Sequence, residues 1–379
     1  MLEWLRMGDR AKTYHRWQFG LHLCRFGVTV AYLILLLATG IAVELRERLA
    51  VWSLLPWLQL GVAVCFLGAG HQLLTAPLSW LQGFWLPRRF GLLHQTFTGW
   101  FWDRLKSGLI GGALALAAVE IVYGLLRVTP FWWLWAAAIF FAGSALLTRL
   151  VPTWIIPLFY RLTPLDDPSL RDRLLGLARR ASVPVVGVWV ADQSRKSKTA
   201  NAALAGLGRT RRILLFDTLL RSFSAEEVES VLAHELGHHV HKDIWRGLGL
   251  QGALTLVTFL VTDGLLRLGG EWLDLDGPAD LAGLPLFGLI LVGLGLVAMP
   301  LGNGFSRWIE RQADDFALAV TGNPSAFVEA MERLADLNLA ERRPSRLKEF
   351  FFHSHPSIDR RIDRARRWNP NATLGGVIP

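Results

Sequence analysis

The chain has 379 residues, 52% of them hydrophobic and only 19% charged, with a mean hydropathy of +0.33. A chain this apolar is not disordered, not collagenous and not an ordinary soluble globule. Seventeen Trp and a formal charge of +9 suit a membrane protein with indoles at the water interface and its basic residues kept on one side, and argue against nucleic acid as a partner.

In chain order, apolar runs of about 18 residues or more predict six membrane spans, at 26–43, 54–81, 109–126, 131–150, 248–266 and 284–301. The first run reads as a span, not a secretion signal, because no small-residue cleavage site follows it and another span does. Cys24 and Cys65 fall in apolar stretches, so they read as packed or lipid-facing thiols, not a disulfide framework. Basic residues precede span one (Arg6, Arg10, Lys12, Arg16, Arg25), lie between spans two and three (Arg88, Arg89, Arg104, Lys106) and crowd the segment after span four. The other side receives short loops and the acidic stretch with Glu271, Asp274, Asp276 and Asp280. The positive-inside rule therefore places both termini and the segment 151–242 in the cytoplasm, which is the face of the cell (inner) membrane if the source is prokaryotic. The run 248–266 is diluted by Gln251 and Asp263, as befits a helix lining a protein cavity. The sequon Asn371-Ala-Thr373 would matter only on the opposite, lumenal side.

After span four, Pro152, Pro157 and Pro164 break the helical pattern. A helix is predicted over 170–181, strands over 185–190 and 212–216, and a strand and turn in the stretch that starts at Lys196. A small α+β domain with a narrow sheet is expected. A peptide laid along 198–202 as an added strand would gain main-chain hydrogen bonds.

Ser224-Ala-Glu-Glu227 is a capping box, so a helix starts there and runs to about Val240. It carries His234-Glu235-Leu236-Gly237-His238. The four-residue spacing puts both imidazoles on one helical face, where they can reach a single Zn²⁺, and leaves Glu235 beside them as general base. His239 and His241 project from other faces. Catalytic zinc needs a third protein ligand. Glu310 and Asp314 stand four apart on another helix, which would let the first bind metal and the second hold a ligand His by its other N–H. Spacing alone does not choose Glu310 over Glu329 or Asp315.

Several motifs together resemble the type I CAAX prenyl proteases, integral-membrane zinc metalloendopeptidases. They are Arg89-Phe-Gly-Leu-Leu-His-Gln-Thr96 with Trp100 and Asp103-Arg-Leu-Lys106, Pro157-Leu-Phe-Tyr-Arg-Leu-Thr-Pro-Leu165, Asn201-Ala, Leu215-Phe-Asp-Thr-Leu219, His234–His238, Ser306-Arg with Glu310 and Ala313-Asp314, and Ser354-His-Pro356. The resemblance implies one zinc per chain held by His234, His238 and Glu310, with Glu235 as catalytic base and Asp314 behind the ligands. It implies that His355 and Arg361 contact the substrate or its oxyanion, and that Thr199, Ala200 and Asn201 form the edge strand on which the substrate backbone lies. Six spans, where the eukaryotic members have seven, make this chain resemble a shorter, prokaryotic-type relative.

The expected architecture is thus an α-helical multi-span membrane protein with a small α+β, zincin-like metalloprotease domain. It divides into four spans (1–150), a first catalytic part with the His-Glu-x-x-His helix (151–243), two further spans (244–302) and a second catalytic part with the third ligand and a basic C-terminal helix (303–379). The expected partners are the bilayer and a peptide or protein substrate, lipidated or membrane-associated. Other readings are a membrane quality-control protease without prenyl specificity, a protease whose zinc helix is itself a span, a scaffold that holds zinc without catalysis, and a transporter built around Glu120. The zinc helix carries Glu226, Glu227, Glu229, Lys242 and Asp243, which hydrocarbon would not accept without a polar cavity around them. Structural zinc is usually closed by four ligands, mostly Cys, and neither cysteine is near.

Overall fold

The structure is a computed structural model that describes residues 2–206 and 211–369; the sequon at Asn371 lies outside them. The first half is helical: α1 (Leu2–Ala38), α2 (Ile41–Val51), α3 (Pro56–Trp80), a π turn at Leu81–Trp85 leading into α4 (Leu86–Arg89), α5 (Phe97–Val128) and α6 (Trp132–Leu150). After the catalytic segment come α10 (Asp243–Trp272) and α11 (Leu284–Thr321). Six helical stretches among the described residues are long and apolar enough to cross a membrane: Asp9–Ala38, Pro56–Arg89, Phe97–Val128, Trp132–Leu158, Asp243–Trp272 and Leu281–Thr321.

Each predicted run coincides with one of these, with one difference. The first run, drawn to residue 43, crosses a real helix break at Gly40, whose φ of +70° is the left-handed conformation a glycine takes without penalty. Ile41, Ala42 and Val43 open the short helix α2; hydropathy continues across the bend and cannot reveal it. The helical stretches extend furthest beyond their apolar runs at the start of α1, the end of α11 and the start of α5, and the turns that follow α3 and α6 carry those stretches on to Arg89 and Leu158. With six crossings, all these overruns fall on the side of the catalytic segments.

On the other side α2 is clamped to the turn before α11. Arg46 pairs with Asp280 at 2.6 Å and Asp276 at 2.8 Å, which accounts for part of the acidic loop. Within the bundle the diluted fifth run is one unbroken helix. Its Asp263 accepts the indole N–H of buried Trp132 at 2.7 Å and pairs with Arg267 at 3.0 Å, so a carboxylate at this depth has its partners. Cys24 and Cys65 are both free and exposed on their helices.

The catalytic segment folds as β1 (Leu162–Pro164), α7 (Pro168–Arg180), β2 (Val188–Ala191), β3 (Ala202–Ala205), β4 (Arg212–Phe216), α8 (Asp217–Ser222) and α9 (Ala225–Val240). It is completed by α12 (Pro324–Leu337), α13 (Arg346–Phe352) and α14 (Ile358–Arg366). The sheet runs β1-β2-β4-β3, with β2 and β4 parallel and the outer pairs antiparallel. Leu174 and Leu177 of α7, Ile213 and Leu215 of β4, and Leu232 and Leu236 of α9 are fully buried between sheet and helices, each worth roughly 1.5–3 kcal/mol of burial. The capping box is formed: Ser224 Oγ accepts from Glu227 N–H, and the Glu227 carboxylate accepts from Ser224 N–H at 2.6 Å.

The catalytic segment is tied to the overhanging helices. His94 and Gln95 N–H both donate to Lys196 C=O, and Leu93 bridges Ser197. The Lys196 ammonium, buried, meets Asp103 of α5 and lies 4.6 Å from the Tyr160 ring centroid. The motifs at 89–96, 103–106 and 157–165 are thus the clasp between membrane and catalytic parts.

Candidate metal centre

His234 and His238 lie on one face of α9, and Glu310 and Asp314 on the facing turn of α11. The two helices cross closely at Gly237, where a Cβ would stand 3.0 Å from Ala313 Cα and 3.2 Å from Phe316 Cβ. A side chain at position 237 would press the two helices apart. The two histidine Nε2 atoms are 3.1 Å apart. Glu310 Oε2 is 3.3 Å from His234 Nε2, and its Oε1 is 3.5 Å from His238 Nε2. Four-coordinate zinc with bonds of about 2.0–2.1 Å sets its ligand atoms about 3.3 Å apart, so this triangle fits one ion. Glu310 Oε2 is buried and finds no well-directed hydrogen bond. The three groups bring their donor atoms close enough together to share one ion. Among the described residues, this is the one group of three His, Cys, Asp or Glu donors so arranged.

Each imidazole is held from behind by a buried carboxylate. His234 Nδ1 donates to Asp314 Oδ1 at 2.9 Å and His238 Nδ1 to Asp243 Oδ2 at 3.0 Å. This tautomer turns both Nε2 lone pairs toward the common point. Asp314 is gripped in turn by Arg361, Nε to Oδ2 at 2.9 Å and Nη2 to Oδ1 at 2.6 Å. Asp243 accepts from Arg246 at 2.7 Å; Arg246 also donates to Gln312 at 2.8 Å and stacks 4.1 Å over Trp308. Burial disfavours the His234 imidazolium, but the carboxylates of Asp314 and Glu310 outweigh that cost and raise its pKa to about 9. The pocket is therefore one that favours positive charge. Burial pushes the Glu235 carboxyl upward against the pull of His234 and His238, toward the range of a working proton acceptor.

The remaining predicted residues divide. His355 is largely exposed, with Nε2 3.1 Å from Glu310 Oε1 and Nδ1 2.9 Å from Ser354 Oγ. Arg361 is buried; its Nε and Nη2 pair with Asp314, and Nη2 also lies 3.3 Å from His234 Nδ1, so it stands directly behind that ligand as well as behind the carboxylate. His239 and His241 stand off the cluster; the His241 ring packs edge-on against Phe316. The edge strand is β3, Ala202–Ala205, a few residues later than the stretch 198–202 that the sequence suggested. Residues 196–198 pair with the 92–95 loop instead. Ala200 N–H and C=O are both taken by the Asn338 side chain, at 3.1 and 3.3 Å, and Thr199 C=O accepts from Thr218 Oγ1 at 2.8 Å. Asn201 C=O accepts from Phe216 N–H at 3.1 Å. Thr199, Ala200 and Asn201 thus lead into the edge with their carbonyls already occupied. The sequence reading counted Asp243 only as a charge and missed its place behind His238; the one signal is an acid five residues beyond that histidine, just past the left-handed turn at Lys242.

The family model described as Peptidase family M48 matches residues 164–369. The chain belongs to peptidase family M48. A second model, described as CAAX prenyl protease N-terminal, five membrane helices, matches residues 8–161. The chain is 31% identical to the "Uncharacterized metalloprotease YhfN" of Bacillus subtilis, over 88% of this chain and 79% of that protein. It is 29% identical to "CAAX prenyl protease 1" of Saccharomyces cerevisiae, over 79% of this chain and 71% of the relative. The crystal structure of S. mikatae Ste24p superposes with a TM-score of 0.83, covering 96% of this chain and 89% of the other at 24% identity, a likeness of fold. This M48 protein is a multi-span membrane metalloprotease.

Proposed function

We propose that the metal is zinc, one per chain, held by His234, His238 and Glu310, and that the enzyme hydrolyses peptide bonds in extended or C-terminal segments of membrane-associated proteins. The observation that carries this reading is the triangle of donor atoms, one corner of which is a buried Glu310 oxygen with no well-directed hydrogen bond. When bound, zinc supplies a Lewis acid that polarises the scissile carbonyl and lowers the pKa of water to about 7. Glu235 takes the proton of the attacking water and delivers it to the leaving amine. His355, on the exposed side, donates to the carbonyl oxygen as charge builds there. Arg361 is a positioning residue that fixes the His234 ring, both through Asp314 and by its own contact with Nδ1. The outer edge of β3 offers main-chain hydrogen bonds to an extended peptide. The basic loops favour a cytoplasmic catalytic face, and the similarity to CAAX prenyl protease 1 favours lipidated C-termini over unmodified membrane proteins as substrates.

The test is zinc content together with cleavage of matched prenylated and unprenylated reporter peptides by the full chain. Wild type should hold about one zinc and cleave. Glu235→Gln should keep the zinc and lose several orders of magnitude in rate. Wild type without zinc, or equal cleavage by the variant, would overturn the assignment; equal rates on both peptides would remove the lipid from it.

A further inference from the structure

A cavity of about 810 Å³ opens between α11, α13 and α14, lined by Asp314 and Arg361 but by none of the proposed zinc ligands. Six arginines face it, and three are neutralised: Arg361 by Asp314, Arg364 by Asp315 at 2.5 Å and Arg360 by Glu349 at 2.9 Å. The other three keep their charge. Arg307 spends its Nη1 on the carbonyls of Glu349 and His353, at 2.8 and 2.6 Å, which accept hydrogen bonds but cancel no charge. Arg311 makes no hydrogen bond or ion pair among the described residues, and Arg367 donates only to Asp363 C=O, at 3.0 Å. Against these stands the Asp363 carboxylate alone. The lining residue Trp368 adds an indole N–H that is buried and without an acceptor. The cavity thus holds excess positive charge and an unused donor.

Its depth indicates what fills it. α11 rises about 1.5 Å per residue, so Arg307 stands roughly 9 Å and Arg311 roughly 15 Å past the end of the apolar run at 301, and the cavity opens just outside the headgroup layer, where a headgroup phosphate reaches its membrane-side end. α13 is hung at the same level by Asn303, which donates to Phe351 C=O. It presents Leu347, 74% exposed, and Phe350, 49% exposed, beside the cavity. An apolar face next to clustered arginines is what a bilayer surface recognises.

We propose that this cavity binds the phosphate headgroup of an anionic membrane phospholipid, fastening the segment that carries His355 and Arg361 to the bilayer. The test is native mass spectrometry of the full chain in detergent, titrated with phosphatidylglycerol or phosphatidylcholine. It compares wild type, Arg311→Gln with Arg367→Gln, and Arg366→Gln, a change at a residue outside the cavity lining that pairs with Glu332. Wild type should retain phosphatidylglycerol in preference to phosphatidylcholine. The double variant should bind phosphatidylglycerol about tenfold more weakly or worse, with phosphatidylcholine and zinc unchanged, while Arg366→Gln should behave as wild type. Equal phosphatidylglycerol binding in all three, or an equal loss in both variants, would overturn the site. Displacement of the lipid by millimolar inorganic phosphate would assign the cavity to a soluble anion instead.

Discussion

Each proposed zinc ligand in this centre has a carboxylate or a ring behind it, and that support decides how tightly the site holds a cation. Asp243 is the informative case, because it touches only His238 Nδ1 and Arg246. Replacing it with Ala frees the imidazole to rotate or change tautomer and leaves Arg246 in place on Trp308. Zinc affinity should fall about 10–100-fold, measured by competition with a chromogenic chelator, and added zinc should restore cleavage. Loss of cleavage that excess zinc does not restore would mean that Asp243 acts on the substrate and not on the ligand. Asp314 is doubly engaged, by His234 and Arg361, so its removal would also leave a buried guanidinium unpaired, and its effect would mix metal loss with misfolding.

Among the elements, the crossing of α9 and α11 carries the site. The ligands come from two helices separated by two spans, and their distance is set by backbone contact at Gly237. A Cβ there meets Ala313 Cα, an atom that cannot swing aside. Gly237→Ala should therefore push the helices apart by a few tenths of an ångström and cost about 1–3 kcal/mol of overpacking. It should lower both zinc occupancy and the thermal midpoint, although no ligand is changed. Full zinc occupancy at an unchanged midpoint would show that the crossing has slack. The same element logic explains the substrate edge. Ala-Ala-Leu-Ala gives no alternation from which a strand boundary can be read, and Asn338, far away in sequence, occupies the Ala200 backbone that would otherwise have extended the edge.

For the whole molecule, one ion would join segments that precede and follow the fifth and sixth spans, so zinc should stabilise the assembly and not only the active site. At free zinc about 100 times its dissociation constant, the gain is roughly 2.7 kcal/mol. Stripping with a chelator should lower the thermal midpoint of the detergent-solubilised wild type, and readdition of zinc should restore it. Glu310→Gln should show a lowered midpoint that chelator does not change. A midpoint indifferent to chelator in the wild type would mean that the two halves are held by the α9–α11 contact alone.

Much of this protein is legible before folding because it is written in local periods. Apolar runs as long as a bilayer is thick mark six spans, Ser224 and Glu227 mark the start of α9, and His234 and His238 fall on one helical face, since solvent, backbone capping and helix geometry each act within a few residues. The bias of Arg and Lys among the loops is likewise a property of the chain alone. What is not local had to wait for the fold. Gly40 breaks a run that hydropathy reads as continuous, and Asp243 joins His238 only through a left-handed turn. Glu310 stands within 3.5 Å of both histidines, while Asp315 on the same helix turns to Arg364 and Glu329 lies on α12. Those outcomes are set by which surfaces pack together, and packing depends on side chains distant in sequence that meet only when the whole chain is assembled.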